Sequence, residues 1–258
     1  ENLTKDNIYV LESPILSNSQ FEKFTVFFKK NLKVLDCTFD VRNNLKKRLD
    51  QLCIEAEIAV REGCKHLILS DKKISEKKAT IPMILAFGAI NSSLTNLGIR
   101  GFVSINVQTG EVLDTHSFAV LLGVGATTIN PYLVFDSIYQ RYEKKLFGKL
   151  SYEECVQRYI KSVNNGLLKI MSKMGISVLS SYRGGCNFET VGLSRATVAD
   201  YFPGLISRIS GIGIFGIETK VKAQHKKAFQ KNVSILPIGG IYKYRQNGES
   251  HQYQGRLI

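Results

Sequence analysis

Gly211, Gly213 and Gly216 stand in the spacing G-x-G-x-x-G, which between a strand and a helix would seat a pyrophosphate on the helix N-terminus. A helix is expected behind them over residues 217–229. No clear strand precedes them and no Asp or Glu stands about 20 residues further on, so a tight loop is the simpler reading. Asp36, Asp71 and Asp114 fall at or near expected strand ends, where a carboxylate could move a proton and where, more often, it caps a helix. His66, His116, His225 and His251 lack metal-ligand spacing, and none adjoins a serine or cysteine in a nucleophile setting. The remaining candidate is Ser181-Tyr182-Arg183-Gly184-Gly185. It follows an apolar run at 176–179 that reads as a buried strand, and the C-terminal ends of such strands carry the ligand and partner chemistry of α/β folds.

Those residues need a scaffold, and a strand-then-helix rhythm supplies one. Strands are expected at residues 33–39, His66–Ser70, 102–108, 127–130 and 176–179. Helices are expected at 42–62 with Asp40 as cap, 82–96 with proline in the first turn, 114–122, and 132–147. A last helix opens on the Ser151/Glu154 capping box and ends at Gly175. Its apolar positions Cys155, Val156, Tyr159, Ile160, Val163, Leu167 and Met171 recur at helical spacing. Five such units predict an α/β fold, a mainly parallel sheet with flanking helices, arranged as an incomplete or degenerate (β/α) barrel of TIM type.

With 258 residues and 44% apolar content, one large core and a single domain over 1–258 are expected, with about 236–258 running into whatever follows. The chain opens on Glu1 and stops after Gly255-Arg-Leu-Ile258 within a pattern, which reads as a segment of a longer polypeptide. Five cysteines, Cys37, Cys53, Cys64, Cys155 and Cys186, include no C-x-x-C pair, and no apolar run approaches a membrane span. A cytoplasmic protein without a membrane partner is therefore expected. The net charge of +13 raises a nucleic-acid-binding alternative, but the lysines come as scattered doublets without interleaved aromatics, which describes a solvated surface and no nucleic-acid partner.

Eight strings, in order and spaced along the chain, carry a resemblance. They are Leu11-Glu-Ser-Pro-Ile-Leu16, Leu67-Ile-Leu-Ser-Asp71, Asp114-Thr-His-Ser-Phe-Ala119, Gly123-Val-Gly-Ala-Thr-Thr-Ile-Asn-Pro-Tyr-Leu133, Lys173-Met-Gly-Ile-Ser177, Ser181-Tyr-Arg-Gly-Gly185, Asn187-Phe-Glu189 and Ser207-Arg-Ile-Ser-Gly-Ile-Gly213. Together they resemble the large (alpha) subunit of glutamate synthase, in the stretch between its glutaminase and flavin domains. Thr109-Gly-Glu111 and Asn130-Pro131 favour the bacterial NADPH-dependent type. The chain carries Ser117 and Asn91-Ser92-Ser93 where many members carry histidines, which weakens any catalytic role for histidine.

The resemblance implies a parent enzyme that hydrolyses glutamine at an N-terminal cysteine and passes ammonia through an internal tunnel. The ammonia then adds to 2-oxoglutarate, and the imine is reduced at FMN. It also implies a 3Fe-4S cluster in the parent, with FAD and NADPH on the small (beta) subunit. None of those catalytic or cofactor-binding groups maps onto this chain, so a central, non-catalytic connecting domain is expected, without cofactor or metal of its own. Tyr182, Arg183, Gly184, Gly185, Gly123, Gly125 and Asn130 are the candidate interdomain or tunnel-adjacent residues. The competing expectation is a flavin- or phosphate-binding (β/α)-barrel oxidoreductase domain, with 181–185 as its phosphate cradle.

Overall fold

Strand β3 (His66–Ser70) shows how the layers assemble. Leu67 and Leu69 point into the main core while Ile68, between them, joins a second cluster with Leu16, Phe21 and Phe24 under helix α1 (Asn18–Phe27). A strand buried on both faces needs apolar side chains at every position, which is why this stretch reads as a continuous apolar run. The computed structural model describes residues 8–230; the expected run-in at 236–258, with His251, lies outside them.

The sheet is parallel in the order β1 (Leu32–Asp36), β3, β5 (Ser104–Gln108), β6 (Ile129–Asn130). Leu32 pairs with His66, His66 with Ser104, and Gln108 with Asn130. The expected strand at 33–39 breaks at buried Cys37. Its second part, β2 (Thr38–Asp40), leaves the sheet to pair antiparallel with β4 (Lys78–Thr80). Helices α2 (Leu45–Arg61), α3 (Met83–Asn96), α4 (Thr115–Gly123) and α5 (Tyr132–Glu143) each follow a strand, as expected for crossover units, and α6 (Tyr152–Lys173) comes directly after α5. Asn44, not Asp40, caps α2 by accepting from the Lys47 amide. Asp40 instead accepts from the Arg42 amide and guanidinium.

The fifth expected strand does not form. After α6, Gly175 at φ +70° turns the chain, and the Ile176 amide bonds back to the Met171 carbonyl, so Ile176 packs on the core as a helix stop. A single-turn helix α7 (Leu179–Tyr182) follows. The place beside β6 is taken instead by the N-terminal segment: Ile15 bridges Ile129 in parallel, the Leu16 amide donates to the Ile129 carbonyl, and the Ile129 amide donates to Pro14. No closed barrel forms among the described residues.

Beyond α7, β7 (Glu189–Leu193), α8 (Arg195–Tyr201) and β8 (Ile206–Ile212) make a separate two-stranded parallel unit, and α9 (Ile214–Ala228) completes it. A strand therefore does precede the G-x-G-x-x-G glycines, and the helix behind them begins at Ile214 rather than 217. Glu218 of α9 reaches the start of α2, where its carboxylate accepts from the Leu45 amide and pairs with Lys222. Gly88 seats α8 on α3, since a Cβ there would stand 2.7 Å from the Tyr201 carbonyl and 2.5 Å from the Phe202 ring.

Candidate functional site

The segment Tyr182 to Gly185 docks on the end of α4. This is the N-terminal side of the parallel sheet, because the loop it touches leads into β6, and not the C-terminal side that sequence pattern predicts. The cause is the missing strand: with α7 in its place, the chain never crosses the sheet. Tyr182 is buried and donates its hydroxyl to the Ala119 carbonyl at 3.3 Å. Gly184, at φ +70°, donates its amide at 2.8 Å to the carbonyl of Gly123, one of the orphan acceptors that every helix end leaves. Asn187 clamps the turn by donating to the Tyr182 carbonyl at 2.9 Å.

Gly123 and Gly125 have different roles there. Gly125, at φ +120°, ends α4: its amide bonds to the Leu122 carbonyl and the next amide, Ala126, to Leu121. Gly123 lies under the Phe188 ring, so close that a Cβ would fall 2.3 Å from the ring edge. A cavity of about 110 Å³ opens beside this contact, lined by Gly88, Asn91, Gly123, Gly184, Phe188 and Phe202 among others. Gly123→Ala is expected to swing Phe188 out of its seat at a cost of about 1 kcal/mol, because a half-buried ring can move where backbone cannot. A fall in urea midpoint of that size, with unchanged helix content, would be the measurement.

Two arginines border the same turn. Arg100 donates from Nε to Asn91 Oδ1 at 2.6 Å, from Nη1 to the Val103 carbonyl at 2.6 Å and from Nη2 to the Gly125 carbonyl at 3.3 Å. Arg183 donates from Nη1 to Thr127 Oγ1 at 3.4 Å. Burial, and then the charge of Arg183, push the Arg100 guanidinium below its ordinary pKa. The sequence singled out Arg183 and Asn91 for separate reasons and gave no sign of Arg100 or Phe202. Phe188 lay inside one of the resemblance strings without a stated role.

Asn130 is not part of this junction. It ends β6 at the opposite, C-terminal edge, fully buried in a polar ladder: Ser70 Oγ donates to Gln108 Oε1 at 2.9 Å, Gln108 Nε2 to Asn130 Oδ1 at 3.2 Å, and Asn130 Nδ2 to the Leu16 carbonyl at 3.0 Å. It ties the N-terminal segment to the sheet. At the same edge Asp71 is buried and accepts from the Thr109 hydroxyl and the Gly110 amide, and burial raises its pKa. Asp71 thus holds the loop that leads from β5 to α4 instead of capping a helix. Asp114 does cap α4, accepting from the Ser117 amide at 2.9 Å, and Asp36 accepts from the Thr38 amide and hydroxyl.

The histidines lie far apart in function. His66 stacks on Phe28 at 3.9 Å with burial lowering its pKa, His116 meets the edge of Phe188, and the His225 ring bonds to the Glu76 carbonyl at 3.0 Å. Among the described residues no three His, Cys, Asp or Glu side chains are grouped to hold a metal, and no helix is long and apolar enough to cross a membrane. The amides of Ser181, Arg183, Gly184 and Gly185 all donate within the protein, to the carbonyls of Val178, Leu179, Gly123 and Tyr182 respectively. That leaves the loop without the convergent amides a phosphate needs.

The sequence of 1–194, which spans α1 to β7 and so every residue of the junction, matches the family model of the glutamate synthase central domain. The chain belongs to that family. The central domain is 46% identical over 261 residues to the NADPH glutamate synthase large chain of Azospirillum brasilense, a match covering 100% of this chain and 17% of that one. It is 39% identical to the corresponding large chain of Bacillus subtilis, covering 96% of this chain and 16% of that one. It is 37% identical to the chloroplastic ferredoxin-dependent glutamate synthase of Oryza sativa subsp. japonica, covering 93% and 16%. The chain thus spans about a sixth of the length of these relatives. Identity is higher to the two bacterial NADPH-dependent chains, in keeping with the type that Thr109-Gly-Glu111 and Asn130-Pro131 indicate.

Proposed function

We propose that this domain couples a glutaminase domain to an FMN domain within one large glutamate synthase chain, and that its junction at Gly123 and Tyr182 to Gly185 borders the path of ammonia between them. The observation that carries the reading is the closure of the Gly184 amide onto the Gly123 carbonyl beside a narrow cavity lined by glycines, aromatic rings and the amides of Asn91 and Asn187. Free ammonia in neutral water is mostly protonated and lost by diffusion. A narrow path that excludes bulk water keeps it neutral and delivers it to the second site. On this reading the parent reaction converts glutamine, 2-oxoglutarate and NADPH to two glutamates in the cytoplasm. FMN and the 3Fe-4S cluster belong to other parts of the chain, and FAD and NADPH to the beta subunit.

Gly123→Ala and Arg183→Ala, each made in the complete large chain with its partner subunit, test it. Both are expected to lower glutamine-dependent glutamate formation several-fold more than glutaminase activity or flavin content. Loss of flavin alone, with glutamine and glutamate turnover still matched in the remaining holoenzyme, would favour the flavin-binding alternative. Unchanged coupling in both variants would reduce the junction to a turn.

A further inference from the structure

We propose that Arg100 and Arg183 together form a receptor for a carboxylate. Both guanidiniums reach the same short loop, Gly125 to Thr127, from two different parts of the chain, and each is only partly exposed. Four other arginines, Arg42, Arg48, Arg61 and Arg208, each hold an Asp or Glu at 2.5 to 3.2 Å, mostly in open solvent where such a pair contributes little, and Arg141, Arg158 and Arg195, which hold none, are exposed. Neither Arg100 nor Arg183 has a carboxylate within salt-bridge distance among the described residues. Two like charges that converge on one loop repel, and an anion between them turns that repulsion into two attractions.

Donor counting shows that capacity remains. A guanidinium carries five N–H groups. Arg100 uses three of them on Asn91, Val103 and Gly125, which hold its plane fixed and leave one hydrogen on each terminal nitrogen. Arg183 uses one, on Thr127, in a long bond of 3.4 Å. The free hydrogens of a fork match the two oxygens of a carboxylate. A phosphate would need further donors for its remaining oxygens, and the backbone amides of the neighbouring turn are already taken. Phe102 beside Arg100 and Gly184 and Gly185 beside Arg183 are exposed, so the receptor opens to solvent and to any surface docked there. The depressed affinity of Arg100 for its proton, caused in part by Arg183, is the same repulsion seen from the titration side.

The carboxylate can come from an Asp or Glu elsewhere in the assembled enzyme or from a free small carboxylate, and the inference goes beyond the coupling role without depending on it. The test is hydrogen exchange, read by mass spectrometry on peptides spanning 97–105 and 178–190 of the complete large chain with its partner subunit. It compares wild type with Arg183→Gln and Thr127→Val, each with and without succinate against chloride of equal ionic strength. A carboxylate held from within the enzyme gives slow exchange in wild type without succinate and about tenfold faster exchange in Arg183→Gln. A free carboxylate gives protection that appears in wild type only with succinate and never in Arg183→Gln. Thr127→Val, which removes the hydroxyl partner and keeps both charges, should change exchange far less. Exchange in Arg183→Gln as slow as in wild type under both conditions, or slower, means the pair holds nothing and only repels. That result overturns the proposal, as does Thr127→Val matching Arg183→Gln. Coupling between glutamine and glutamate turnover is a separate measurement, so either conclusion can fail alone.

Discussion

Gly211→Ala is expected to destabilise the β7–β8 unit by about 3 kcal/mol or more, the largest effect of adding a methyl group at any glycine among the described residues. A Cβ at Gly211 would stand 2.1 Å from the Gly192 carbonyl oxygen and 2.4 Å from its carbon. Both are backbone, so relief requires the two strands to separate. Gly192 itself sits at φ +81°, where the register between β7 and β8 shifts, and glycine faces glycine across the irregularity. Gly213→Ala should cost under about 1 kcal/mol, because its nearest neighbour would be the Ser194 hydroxyl at 3.5 Å and glycine is only modestly better than alanine at a helix N-cap. Urea unfolding, with hydrogen exchange of β7 and β8, gives the order. In a dinucleotide cradle the second glycine is where backbone meets pyrophosphate, so Gly213→Ala would be expected to abolish ligand binding with little stability change. A stability loss at Gly211 far larger than at Gly213 marks strand contact as the reason for the glycine at 211.

Asp71→Ala is expected to cost about 2–4 kcal/mol, since it leaves the fully buried Thr109 hydroxyl and the Gly110 amide without their acceptor. Asp71→Asn keeps an oxygen for those donors and should cost less. The two substitutions differ further in pH dependence. Burial raises the folded pKa of Asp71 above its ordinary value of 3.8, outweighing the bonds from Thr109 and Gly110 that act the other way. An acid with a raised folded pKa binds its proton more readily folded than unfolded. The stability it contributes is therefore greatest at and below the ordinary carboxylate pKa, and falls as pH rises through the folded value. Wild type should lose stability relative to Asp71→Asn as pH climbs above about 4 and through the raised folded pKa, then run parallel to it. A difference that stayed flat as pH rose would show that the hydrogen bonds balance burial, and one that grew in favour of wild type that they outweigh it.

The helical elements were legible from consecutive residues. The Ser151/Glu154 capping box forms as written, Gly175 ends α6, and Asp114 caps α4, because each signal and its partner lie within about one turn of one another. Strands β3 and β5 were legible for a related reason: both faces of each are covered, so every position had to be apolar or internally bonded. The run at 176–179 fails by the same measure. Four apolar residues satisfy a strand pattern and a helix stop equally, and local pattern cannot choose between them.

The amino-acid sequence by itself determined the family, the α/β class, the order of the units and the faces that the helices bury. Those depend on ordered strings and short periodicities that survive in one dimension. Only the tertiary structure decided that Pro14 to Leu16 would take the place beside β6, and that Asn130 would anchor it there at the far edge from Gly123. The meeting of Arg100 with Arg183, and of Gly211 with Gly192, was likewise decided in three dimensions. In each case the partners are separated by 19 to more than 100 positions and share no spacing rule. Which of many chemically acceptable partners a donor or an open strand edge receives is settled by which segment the packed core brings within about 3 Å, a property of the whole chain's geometry.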